Sequence, residues 1–383
     1  MEKFIKIIPI ALLILIIVPI ALLLHYKVFT VPLAEEIPVE FSDGKNQLHG
    51  ILTLPGRKGS WPAVVLLHGS DRGSEAAYEE YARELVKAGY AILRYDGPGT
   101  GMSTGSSFGE TFETRVGEAL SAIEFLESRN DIKAGKVGLW GISQGGWICQ
   151  MAAAQSEKVA FIIPVSGPGV SVPEQEAFRV EAEGRAAGFS ETDIRKAVLI
   201  RRLLLDEILT PPLYQALNEK DAKELGEGSW NELMTLVYSP VAVDAAQELK
   251  SLIRILESVH LEPWSVHIGT QGVLPMLQNL QPDAFASVKK QMEASLLFQP
   301  SDYLAQIKVP VLAIFGSEDT SVPVDKSISI YRESLKKAGN LDLTVKVFQG
   351  ANHQIWIDES AAPGYYTTMI DWLKELETRK GDR

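Results

Sequence analysis

Three residues in this chain have the types and the setting for nucleophilic acyl chemistry. Ser143 stands in KVGLWGISQGG, residues 136–146, where a short apolar run passes through Gly141-Ile142-Ser143-Gln144-Gly145 into the helix-like segment 147–154. A strand, a tight turn and a helix in that order put the serine at the tip with its hydroxyl exposed, and glycines flank it where side chains would clash. A serine hydroxyl is a poor nucleophile at neutral pH. It needs a base to take its proton and a third group to hold that base in the right tautomer. His353, in Gly350-Ala351-Asn352-His353-Gln354, and Asp319, in Gly316-Ser317-Glu318-Asp319-Thr320, each follow a strand-like run. Parallel strands present their C-terminal ends on one edge, so Ser143, Asp319 and His353 are expected on the same side of one sheet. Glu318, beside Asp319, is the rival orienting carboxylate.

Attack on a carbonyl also requires two preorganised N–H donors for the negative oxygen that forms. The backbone N–H of Gln144, directly after the serine, is assigned as one. Ser70, in the loop His68-Gly69-Ser70 after the first long apolar run, is assigned as the other. His68 itself reads as a structural residue of that loop. Gly97 to Gly101 lacks the spacing of a phosphate cradle and a partnering lysine, and reads as a tight turn. The six histidines form no metal-ligand spacing, so neither metal nor cofactor is expected.

The elements that must position these residues can be read from hydrophobic periodicity. Strands at 39–41 and 48–54 flank a turn at 42–46, forming a hairpin. Pro62 to Leu67 is the continuous apolar run of a strand buried on both faces. A helix over 75–88, a strand over 91–96, a helix over 113–129, the strand leading to Ser143, its helix, and a strand at 161–167 complete an alternation that predicts a mostly parallel sheet with helices on both faces. The alternation stops between about 170 and 299, where helical patterns such as 197–209 and 247–259 recur without strands. It resumes with a strand at 309–316, a helix at 327–338, a strand at 343–348 and a helix at 365–379. This divides the chain into an N-terminal segment, 1–30, a first core part, 31–168, a helical insertion, 169–300, and a second core part, 301–383.

The 383 residues carry a formal charge of −12, which repels phosphates and argues against a nucleic-acid partner. The single cysteine, Cys149, excludes an intrachain disulfide framework and a cysteine metal cluster. Residues 7–24 are an uncharged apolar run that as a helix spans about 27 Å at 1.5 Å per residue, close to the hydrocarbon thickness of a bilayer. That length, with no small-x-small cleavage site after it, favours a transmembrane anchor, and Lys3 and Lys6 before it, against Lys27, Glu35 and Glu36 after it, favour placing the larger part extracytoplasmic. A secretory signal removed by cleavage is the rival.

The strings LLHGSDRG, LRYDGPGTGMS, GISQGG, VPVLAIFGSEDTSVP and GANH, in that order and each at a strand end, resemble the α/β-hydrolases. They are most similar to the serine hydrolases grouped with dienelactone-hydrolase-like esterases, acyl-CoA thioesterases and S33-type aminopeptidases. The likeness extends over residues 38–379. It implies an α/β-hydrolase fold with the helical insertion as a cap after the sixth strand, and hydrolysis of a small-molecule acyl ester, with a thioester or an aminoacyl amide as the alternatives. A catalytically silent binding protein on the same fold is the reading from another class. Pro98 stands where the family often carries an arginine. Some of Phe178, Tyr214, Trp230, Trp264, Phe285 and Phe298 of the insertion are expected to line an apolar acyl pocket, with packing in the insertion's own core as the alternative for each.

Overall fold

A computed structural model describes residues 35–71, 78–107, 110–206 and 244–381. The apolar run at 7–24, with the anchor expected there, lies outside the described residues. Among the described residues no helix is long and apolar enough to cross a membrane.

Eight strands form one sheet in the order β1-β2-β4-β3-β5-β6-β7-β8. The hairpin strands β1 (Glu35–Ser42) and β2 (Gln47–Leu54) are antiparallel. β4 (Ala91–Tyr95) pairs antiparallel with β2 and parallel with β3 (Trp61–Leu67). From there β5 (Ile132–Ile142), β6 (Ile162–Val165), β7 (Val311–Gly316) and β8 (Leu343–Phe348) add on in parallel.

Strand side chains alternate between faces, and that alternation sorts the apolar residues into two layers. Ala63, Val65 and Leu67 of β3 join Val311, Ala313 and Phe315 of β7 in one cluster, with the helices Phe112–Glu127, Gln144–Gln155 and Val324–Lys337. The interleaved Val64, Leu66, Leu312 and Ile314 fall in the other, against Glu79–Leu85 and Tyr365–Gly381. Both faces are covered, which is why the central strands read as unbroken apolar runs.

Between β6 and β7 the described chain is helical: Val172–Ala186, Glu191–Asp206, Ala245–Val259, Thr270–Gln278 and Pro282–Leu297. These helices carry their own apolar cluster, with Val180, Ile200, Leu256, Trp264 and Phe285 at its centre. Boundaries differ from the periodicity reading by a few residues. The helix over 197–209 begins at Glu191, where Ser190 and Asp193 exchange hydrogen bonds. A short pair, β9 (Trp356–Ile357) with β10 (Ser360–Ala361), was not expected. Two residues per strand leave no alternation to detect.

Candidate active site

Ser143 follows β5 directly and sits at φ 53°, ψ −120°, a left-handed backbone held between strand and helix. Its N–H donates to Val165 O of β6 at 2.9 Å, and its own carbonyl accepts from Gly146 N at 2.8 Å. Only small residues allow the turn. A Cβ on Gly141 would stand 2.3 Å from Gly145 O, and one on Gly145 would stand 2.7 Å from the carbonyls of Leu67 and His68. The strain at Ser143 is therefore fixed by close backbone packing on both sides.

Asp319 follows β7 and is buried. Its Oδ1 accepts from the N–H groups of Ser321 at 2.7 Å and Val322 at 2.9 Å, a cradle that fixes the carboxylate. His353 follows β8. Its Nδ1 lies 2.8 Å from Asp319 Oδ2 and 3.0 Å from Oδ1, so the ring's proton on Nδ1 is donated to the carboxylate and Nε2 is left as the acceptor. Ser166, at the end of β6, donates its hydroxyl to His353 O at 2.7 Å and so holds the histidine's own backbone. Glu318 is exposed; the histidine faces Asp319.

Ser143, His353 and Ser70 line one cavity of about 330 Å³. Its remaining wall includes Tyr78, Tyr81 and Trp356. Burial and the neighbouring Asp71 carboxylate push the Tyr78 hydroxyl well up, so it stays protonated. Cys149 is buried beneath the turn and burial pushes its thiol up likewise, so it offers no thiolate as a rival nucleophile.

The cavity wall bears on the expected acyl pocket. None of the insertion's described aromatics lines it. Trp264 and Phe285 are buried in the helices' own cluster, and Phe298 packs with Phe112, Trp147 and Tyr303 in the core. Helical amphipathicity brings large residues inward to the nearest apolar layer, which is the insertion's own for Trp264 and Phe285 and the sheet's for Phe298. Tyr214 and Trp230 lie outside the described residues. The aromatics that do line the cavity come from the helix after β3 and from the β9 segment. Nothing in their spacing marked them.

Arg115 was missed as well. It occupies the inward stripe of Phe112–Glu127 beside Phe112, Val116 and Ala119 and is buried with them. Arg115 and Glu118, two charges on a largely apolar stripe, were the available signal, since such charges must find partners. Its guanidinium donates to His68 O at 2.5 Å, to Gly69 O at 3.2 Å and to Gln144 Oε1.

Comparison with known proteins bears on the fold. The family model for X-Pro dipeptidyl-peptidase (S15 family) matches residues 43–184, which include Ser143, and that for the prolyl oligopeptidase family matches residues 281–378, which include Asp319 and His353. Esterase EstD of Thermotoga maritima is 31% identical over 157 residues, covering 38% of this chain and 37% of that protein. Thiohydrolase apmlB of Arthrinium phaeospermum is 27% identical over 164 residues, covering 43% and 50%. The chain thus spans half or less of the length of these two relatives. Among solved structures, an esterase of Pyrococcus furiosus superposes with a TM-score of 0.51 at 15% identity, over 90% of this chain and 91% of that one. The α/β hydrolase GrgF from Penicillium superposes with a TM-score of 0.51 at 17% identity, over 89% and 98%. At such identities the superpositions speak to fold alone. Taken with the sheet order and the two family matches on either side of the helical insertion, they establish that this chain is a member of the α/β-hydrolase superfamily.

Proposed function

We propose that this protein is a serine hydrolase that cleaves a carboxylic ester through an acyl-enzyme formed on Ser143. The observation that carries the reading is the pairing of a left-handed serine at a strand-to-helix turn with a histidine in the same cavity, whose far nitrogen is held by a buried, doubly hydrogen-bonded aspartate. In this reading His353 Nε2 takes the Ser143 proton as Oγ attacks the ester carbonyl. The backbone N–H groups of Ser70 and Gln144 receive the oxyanion. His353 then returns the proton to the leaving alcohol, and water repeats the sequence to release the acid. Asp319 stays ionised throughout and stabilises the imidazolium.

A thioester is the second reading, favoured by the thiohydrolase relative; the same machinery serves both, because only the leaving group differs. The segment 7–24 is proposed as a membrane anchor that keeps the catalytic part extracytoplasmic and adds nothing to the chemistry. A chain beginning at Pro32 is then expected to keep full activity. Recovery of the native protein without its first residues and free of membranes would favour signal cleavage instead.

The test is labelling with a fluorophosphonate, followed by kcat/KM on matched ester, thioester and aminoacyl amide substrates. Labelling lost in Ser143→Ala and the highest kcat/KM on the ester are expected. Labelling that persists in the alanine variant overturns the reading. A higher value on the thioester transfers it to that class.

A further inference from the structure

Arg115 joins the two loops that carry the proposed oxyanion donors, yet it stands outside the cavity that holds Ser143. Its side chain lines a separate small pocket with Pro98, Glu110 and Glu118. Three of its hydrogen bonds run forward, to His68 O, Gly69 O and Gln144 Oε1. Behind it, Glu110 Oε2 lies 4.0 Å from Nε.

The consequence follows from the geometry of the peptide unit. The Gly69 carbonyl and the Ser70 N–H belong to one planar trans group and point in opposite directions. Fixing Gly69 O on the guanidinium therefore aims the Ser70 N–H away from Arg115. Fixing His68 O holds the preceding peptide plane in the same way, which matters at Gly69 because a residue without Cβ resists rotation least. The bond to Gln144 Oε1 ties this loop to the first residue of the helix after Ser143, whose N–H is the second donor. A planar fork with five N–H donors can satisfy three acceptors in fixed relative positions. A lysine ammonium on a flexible stem cannot do so with the same precision of placement.

We infer that Arg115 is a positioning residue of the hydrolase, a brace that sets the relative placement of the Ser70 and Gln144 N–H groups and so stabilises the transition state without touching substrate. The inference rests on the serine-hydrolase reading above. Because the brace acts on where the oxyanion sits and not on where the substrate binds, its loss is felt in kcat and leaves KM nearly as it was.

The experiment compares Arg115→Met, Arg115→Lys and Gln144→Leu with the wild-type full chain, using circular dichroism and thermal melting to establish folding. Steady-state kinetics on 4-nitrophenyl butyrate are read together with the Ki of a trifluoromethyl ketone, which binds serine hydrolases as an oxyanionic adduct. Arg115→Met is expected to lower kcat about 10- to 100-fold, somewhat less than outright loss of an oxyanion donor, with KM within about threefold. Its Ki for the ketone should rise in parallel with the fall in kcat/KM. Arg115→Lys should be intermediate, and millimolar guanidinium should restore part of the activity of Arg115→Met. Gln144→Leu, which keeps the backbone N–H and removes only the side-chain acceptor, is expected to lose about 3- to 10-fold in kcat.

A folded Arg115→Met with kcat within twofold of wild type, or a loss confined to KM, overturns the brace. Should Arg115→Met fail to fold, unchanged kcat in Gln144→Leu and Arg115→Lys overturns it equally. Ser143→Ala separates the two levels. If hydrolysis survives in Ser143→Ala, the serine-hydrolase reading itself falls; if it is abolished there while the Arg115 and Gln144 variants keep wild-type kcat, only the brace falls.

Discussion

The sheet edge that bears Ser143, Asp319 and His353 and the helices between β6 and β7 are built on different physics. At the sheet edge, the residues are fixed through backbone groups: two N–H donors hold the Asp319 carboxylate, the Ser166 hydroxyl holds the His353 carbonyl, and glycines pack within Cβ distance of neighbouring carbonyls. The helical region is held by amphipathic packing around Trp264 and Leu256 and by ion pairs of Glu176 with Arg179 and Arg201. Glu176 is largely buried, which would raise its carboxyl pKa, yet the two arginines beside it bring the pKa below the ordinary value. The two regions meet where Gln175 donates to Ser321 O at 2.7 Å, two residues from Asp319. One region has the rigidity that chemistry requires. The other carries a separate core, and among its described residues none lines the cavity.

Substitutions in the two regions should therefore fail in different ways. The largest effect is expected from Ser143→Ala, a loss of about 10⁴- to 10⁶-fold in kcat with an unchanged melting curve; adding His353→Ala should cost little more, because the residues act as one unit. Asp319→Asn should lower kcat by about 10⁴-fold through the wrong histidine tautomer. Glu318→Gln, one residue away and exposed, should stay within about twofold. Rates of both variants on one ester check the pair.

Trp356→Ala and Trp264→Ala sharpen the contrast directly. Trp356 walls the cavity, and its loss should change the ranking of acyl groups by about 10- to 100-fold, as expected for a few methylenes of fit. Trp264 is 1% exposed within the helical cluster, and its loss should cost about 3–5 kcal/mol of stability while leaving the ranking alone. Reversed outcomes would mean that the helical region selects substrate and the sheet edge does not. Gln175→Ala, at the seam, should reduce kcat only about two- to fivefold, near the value of one neutral hydrogen bond.

The smallest effect concerns pH. His68 is buried, its Nε2 donates to Tyr95 O at 2.7 Å, and burial, with Arg115 adding to it, lowers its pKa. The unfolded chain therefore takes up a proton at a pH where the folded chain does not. The His68 contribution is fully present above the ordinary value of about 6.5 and is lost as pH falls towards the folded value, by at most about 1.4 kcal/mol per pH unit. Thermal melting between pH 7 and pH 5 should show a shallower acid limb in His68→Asn than in wild type.

What was legible in the sequence follows the same division. Strands buried on both faces leave unbroken apolar runs, and the strained turn requires glycine two residues to either side of its serine, so the fold and the three strand-end positions could be read from Val64 to Leu67, from Gly141 to Gly145 and from the placing of Asp319 and His353. Tyr78, Tyr81 and Trp356 could not be read as a wall, because they come together only through the packing of separate elements, and Trp356 lies in a two-residue strand. Arg115 left a trace, as a charge on an apolar stripe, but its partners are carbonyl oxygens, which every residue has and no residue type announces.

The central claim is that Ser143 carries the acyl group during turnover. It is tested most directly by acid-quenching the enzyme during turnover of a 4-nitrophenyl ester and mapping the adduct by tandem mass spectrometry. A mass increase equal to the acyl group, on the peptide containing Ser143 and absent from Ser143→Ala, is the expected result. Undiminished hydrolysis with no adduct on that peptide, or an adduct on another residue that persists in Ser143→Ala, would contradict the account.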